Sequence, residues 1–147
     1  MFTRLLRLYT SGVVLSLGCG GSVSSESSAI LTVATELRGE LAGFAPAQTV
    51  AVAPQWINGD SLPAQLLAEL GGVTGLPVWA MERRRDGTVA ALAFHRPSIA
   101  DPSMVTVVAE LLTFEANGFY GRDWTFVLDC LEGCRVVERS QVPGWLN

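Results

Sequence analysis

Lysine is missing from this 147-residue chain, histidine occurs once, and charged residues make up only 16% of it. All ten basic residues are arginines, which reads as a genomic composition bias and carries no functional message. The formal net charge of −4 sets the chain against phosphate backbones, so nucleic acid is excluded as an expected partner. Intrinsic disorder of the whole is excluded too, since 49% of the residues are hydrophobic. No Gly-x-Ser-x-Gly nucleophile elbow occurs. The glycine-rich Gly71-Gly72-Val73-Thr74-Gly75 follows an expected helix and not a strand, which removes a dinucleotide loop. Nothing in the pattern asks for a cofactor or a metal.

Long apolar runs are also absent. The most apolar segment, Leu8 to Leu17, is about ten residues long, whereas a helix crossing a hydrocarbon core needs about 20. It follows Met1 to Arg7, which holds two arginines and no acid. That is the layout of a signal peptide: a basic start, then a short apolar stretch.

The stretch ends in Leu15-Ser16-Leu17-Gly18-Cys19, and here the chain resembles bacterial lipoproteins. In that family a small residue precedes a cysteine whose thiol is acylated before the signal is removed, and Gly18-Cys19 matches. Ser16 stands where leucine is usual, with Leu17 one place late. The resemblance implies a signal over residues 1–18, a lipidated Cys19, and a membrane as partner through the lipid. Gly20, in place of an aspartate, implies the outer membrane, with the domain facing the periplasm. An ordinary cleaved signal and an uncleaved anchor are the alternatives. Removing Arg4 and Arg7 with the signal takes the formal charge to −6.

Residues 19–28 are rich in glycine and serine, the composition of a flexible tether, and 29–147 is then one domain. From Ala29, the spacing of Leu31, Thr35, Leu37, Leu41 and Phe44 predicts a helix closed by Pro46. Thr49 to Ala53 reads as a short strand. Asn58-Gly59-Asp60-Ser61 offers a turn and an N-cap for a second helix from about Leu62 to Leu70, ended by Gly71-Gly72. Val78–Arg84 and Thr88–Phe94 flank Arg85-Asp86-Gly87, a hairpin signal, with Arg83 to Arg85 at its solvated tip. Strands over Met104–Phe114, Phe119–Leu131 and Cys134–Ser140 are separated by Asn117-Gly118 and Glu132-Gly133. Trp124, Phe126 and Leu128 alternate with Thr125, Val127 and Asp129, which marks one face as the more apolar. The expected fold is α+β: two N-terminal helices on a curved antiparallel sheet of four or five strands. Its element order looks like that of cystatin-like or nuclear-transport-factor-like cones. Ala90 to Val137 also resembles a pattern in uncharacterised bacterial envelope proteins, through Phe94-His95-Arg96-Pro97, Val105-Thr106-Val107-Val108, Gly121, and Gly133 through Val137. Arg135 replaces a usual tryptophan there and His95 a serine. That resemblance implies no chemistry.

Few residues remain as candidates for chemistry. If Leu131 to Gly133 form the loop of a hairpin, Cys130 and Cys134 face each other at a separation that suits a disulfide, which export to an oxidising compartment favours. The short loop puts its stabilisation below the roughly 3 kcal/mol of a 15-residue loop. A reduced pair and a redox role are the alternatives, and a lone CxxxC is a weak zinc signal. His95 ends a strand, with Asp101 and Asp123 as candidate carboxylates. Trp79 and Trp124 are expected in the core. Trp56 and Trp145, beside Asn58-Gly59 and Pro143-Gly144, are expected in loop or tail positions where they pack on the sheet edge or contact a ligand or partner. Three functions stay open: a non-enzymatic envelope lipoprotein that binds a partner or joins an assembly, a small enzyme with a cone-shaped pocket using His95, and a cystatin-like inhibitor.

Overall fold

A computed structural model describes residues 24–44, 50–78, 90–115 and 118–146, without the side chains of 44, 114–120 and 143–146. The proposed signal peptide, Cys19, Trp79 and Arg83 to Arg85 lie outside these segments. Among the described residues no helix is long and apolar enough to cross a membrane.

Helix α1 spans Ser25–Phe44. Ser24 caps it, its Oγ accepting the Ser27 N–H at 3.2 Å, and Glu26 in the first turn suits the positive end of the helix dipole. The helix therefore begins earlier than Ala29 and takes in Ser25 to Ser28, which composition alone assigns to the tether. Serine here serves as a cap and first turn, a role it fills as readily as that of a linker. The buried stripe is Ala29, Ile30, Val33, Ala34, Leu37 and Leu41, all at most 4% exposed. Thr35 is not in it: it faces solvent and its hydroxyl donates to the Leu31 carbonyl.

After strand β1 (Val50–Val52), a loop folds back on itself before helix α2 (Ala64–Thr74). The Trp56 N–H donates to the Asp60 carbonyl and the Leu62 N–H to that of Pro54. The Asn58 to Ser61 cluster thus closes this loop instead of capping α2. Pro63 holds the N-cap position with no side-chain bond, φ being −55° and ψ 136°. Nor does α2 stop at Gly71-Gly72. It runs to Thr74, and Gly75 at φ 71° provides the left-handed C-cap. Two glycines inside the helix cost up to about 1 kcal/mol each. Burial of Leu70, Thr74 and Leu76 along the extended end offsets that.

Strands β2 (Ala90–Phe94), β3 (Ser98–Asp101), β4 (Met104–Glu115), β5 (Gly118–Asp129) and β6 (Arg135–Leu146) complete a six-stranded sheet. Its order is β1-β2-β4-β5-β6, with β3 also on β4. The sheet is mixed, because β1 and β2 are parallel, and the expectation of a purely antiparallel sheet is corrected. Of the expected hairpin between Val78–Arg84 and Thr88–Phe94, residues 79–89 lie outside the described segments, and its described ends do not pair with each other. Val78 bridges Val52 on the outer side of β1, while β2 has β1 on one side and β4 on the other. Helix α2 lies in the crossover between two parallel neighbours, a connection that carries no turn signature. The β4–β5–β6 meander follows the expected turns, and β6 runs on to Leu146.

Val105, Val107, Ala109, Trp124, Phe126 and Leu128 point to the helices and join the α1 stripe in one core. The opposite face shows Thr106, Val108, Glu110, Asp123, Thr125 and Val127, none fully buried.

Gly39 is solvent-exposed on α1 and a Cβ there would meet nothing within 4 Å. Gly39→Ala should raise stability by about 0.5–1 kcal/mol. The expected readout is a higher denaturation midpoint with an unchanged slope, and an unchanged or lower midpoint would contradict the packing given for α1.

Candidate functional site

His95 follows β2, and its N–H extends the ladder by donating to the Val108 carbonyl at 3.0 Å. Its Nε2 lies 2.5 Å from Oε1 of Glu110, and the two side chains are 33% and 15% exposed. The carboxylate that meets His95 is therefore neither Asp101 nor Asp123. Asp123 stands directly opposite Glu110 in the β4–β5 register, so the pair and this second carboxylate belong to one face of the sheet. Glu110 is missed by spacing alone, although a signal existed: it is the one charged residue in the apolar run from Met104 to Phe114. A carboxylate–histidine pair of this kind fixes the ring and can accept or hand on a proton.

Asp101 belongs to the other end of β4. Its Oδ1 accepts from the Ser103 N–H at 2.8 Å and the Ser103 hydroxyl at 2.6 Å, and these two bonds hold its carboxyl below the usual aspartate pKa. This tight β3–β4 turn sits beside the β5–β6 turn, since the Cys130 N–H donates to the Pro102 carbonyl.

Cys130 and Cys134 form a disulfide across the expected three-residue loop, each one residue outside its strand. Gly133, at φ 106°, supplies the bend a side chain would resist. Asp129 braces the loop, its Oδ2 accepting from Arg135 at 2.8 Å and its Oδ1 from the Leu131 N–H at 3.1 Å. The Arg135 bond first, then the Leu131 bond, lowers the Asp129 pKa. Asp129, Leu131, Glu132, Gly133 and Arg135 line an open depression of about 360 Å³. His95 is not among its lining residues. The same tip touches α1, with Cys134 Sγ 3.9 Å from the Ser25 carbonyl oxygen.

Trp56 is in the core, 4% exposed. Arg96 covers its ring at 5.8 Å and reaches Asp60 at 3.5 Å and Glu26 at 3.9 Å. Trp145 lies in β6 opposite Gly121, not in a tail, and its side chain is outside the described set. Trp124 is fully buried, as its alternation implies. Among the described residues no group of three or more metal-ligating side chains stands together.

No family model matches the chain, and neither do curated proteins or solved structures.

The two turn aspartates give a pH prediction. A folded-state pKa below the unfolded one stabilises above the unfolded value and loses that contribution as pH falls through the folded value. The Ser103 and Leu131 amide signals should shift with midpoints below the ordinary aspartate value. Asp101→Asn and Asp129→Asn should abolish the respective steps. Midpoints at or above the ordinary value would show that these bonds do not form in solution.

Proposed function

We propose that this chain is an exported lipoprotein of the bacterial envelope, anchored through Cys19 and serving as a non-enzymatic binding or assembly module on the periplasmic face of the outer membrane. The observation that carries the reading is the Cys130–Cys134 disulfide, a bond that persists in oxidising compartments and is rare in reducing ones. It joins the basic start, the short apolar stretch and Gly18-Cys19 of the sequence. Two acyl signals on one cysteine anchor a domain stably, where a single chain does so only marginally. Within this reading the sheet curves into an open cone of the cystatin or nuclear-transport-factor type, and the β-bulges along β3 and β6 favour such curvature.

Mass spectrometry of the membrane fraction should find acyl mass on an N-terminal Cys19, and Cys19→Ala should move the protein into the soluble fraction. A native chain that begins at Met1, or a variant that stays equally membrane-bound, would refute the anchor.

The His95–Glu110 contact favours a second reading, a small enzyme acting from the outer face of the sheet. It requires a turnover that His95→Asn and Glu110→Gln both abolish while the fold survives. Activity that withstands both changes removes it. A cystatin-like inhibitor needs an exposed tryptophan on a projecting hairpin, and both tryptophans with described side chains are buried.

A further inference from the structure

One end of the domain gathers features that sequence distance hides. The β3–β4 turn, the disulfide loop and the N-terminus of α1 meet there. Two contacts define the meeting, Cys130 N–H to the Pro102 carbonyl and Cys134 Sγ beside the Ser25 carbonyl, and Arg96, between β2 and β3, reaches Glu26 in the first turn of the same helix. Six large apolar side chains are exposed among the described residues, and the two most exposed, Leu131 at 65% and Met104 at 59%, occupy these adjacent turns. Ile99, opposite Val105, and Val137, two residues into β6, lie just behind these turns, and the other two are remote. Val78 is at the far edge of the sheet, and Val142 is roughly 23 Å up β6 from Arg135.

The chain ahead of α1 leaves from this same end. Between Cys19 and Ser24 it can extend no more than roughly 18 Å. A membrane anchor at Cys19, or the apolar stretch Leu8 to Leu17 itself, therefore keeps this end within reach of the bilayer and leaves the opposite end of the β4–β5–β6 meander farther away. We propose that Met104 and Leu131 form a second, shallow membrane contact beside the anchor, setting the domain upright with its disulfide tip in the lipid interface. The inference rests on the anchor reading above.

The chemistry of the tip selects the lipid. Asp129 is paired with Arg135 and Glu26 lies near Arg96, which leaves Asp101 and Glu132 as acids without an opposing cation in these pairs. An anionic surface repels them, so the contact is apolar and suits a zwitterionic headgroup layer. Arg135, with its side chain 75% exposed at the rim of the depression, keeps guanidinium donors beyond the one given to Asp129, placed to meet a lipid phosphate. Rigid turns favour the contact as well: the disulfide and the two braced aspartates hold both tips without a binding partner, so little ordering is left for the membrane to impose.

The test uses the full chain, purified from membranes and reconstituted into vesicles of phosphatidylcholine and phosphatidylethanolamine containing a diazirine phosphatidylcholine. Photolabelled residues are located by peptide mass spectrometry, and the mass of the Cys19 peptide is read in the same experiment. Labelling at 102–104 and 131–133 well above that at Val78 and Val142 is the expected result. Met104→Glu combined with Leu131→Glu should cut tip labelling roughly tenfold or more and leave sedimentation with the vesicles unchanged. Replacing much of the zwitterionic lipid by phosphatidylglycerol should weaken the tip label. An acylated chain labelled evenly, or not labelled at the tips, overturns the contact and leaves the anchor standing. Tip labelling on a chain without acyl mass supports the contact and discards the anchor. Absence of both acyl mass and tip label removes the two together. Labelling that rises with anionic lipid overturns the apolar mechanism.

Discussion

The inner face of the β4–β5–β6 meander, pressed against the apolar stripe of α1, determines where nearly everything else in the domain sits. Trp124, Phe126 and Leu128 are fully buried against Ile30, Val33 and Leu37, and apolar burial of this sort contributes about 25 cal/mol per Å². Side chains along a strand alternate with a period of two, so turning those three residues inward sends Asp123, Thr125, Val127 and Asp129 outward. Register then brings Glu110 opposite Asp123, and the continuing ladder at His95 delivers the imidazole to Glu110. The polar cluster on the outer face is a product of core registry. A slip of one residue in β4 would place Glu110 among the helices.

Much of this could be read from residues alone, and the exceptions share a cause. Period-two alternation marked β5, and Asn117-Gly118 and Glu132-Gly133 marked its two ends, because strand faces and tight turns are local properties. The disulfide was legible for the same reason. The β1–β2 pairing was not, since a parallel pair joined through a helix depends on the crossover and not on any dipeptide. Arg85-Asp86-Gly87 suggested a hairpin, yet β2 already has a neighbour on each side. Gly71-Gly72 resembled a helix end, but left-handed backbone is needed only at Gly75. His95 was visible as a lone histidine, whereas its partner emerged only once the register of β2 on β4 was known.

The two ends of the sheet differ in kind. At one end a backbone hydrogen bond joins two neighbouring turns, a sulfur contact brings one of them against the start of α1, and each turn carries its own internal braces. Asp101 and Asp129 brace their own turns by similar means, each carboxylate satisfying a backbone N–H two residues ahead. The second contact differs: a hydroxyl in the first case, a guanidinium in the second. Surface ion pairs of this sort contribute little to global stability. Their effect is local, fixing the shape of a loop that could otherwise fray.

β6 closes the sheet on one side with β5 as its one strand partner in the pairing order, so a long row of backbone donors and acceptors runs along its outer edge. Such an edge invites a stray chain to add itself as another strand. Register breaks near Val127/Leu128 and between Gly121 and Asp123 interrupt the straight run that an incoming strand would need. Pro143 removes a donor from the row, and Arg135, Glu138 and Arg139 bring charge along the first half. The border strand is thereby made a poor template for self-assembly, which helps a domain this rich in valine and leucine remain apart from its own copies when many are crowded together.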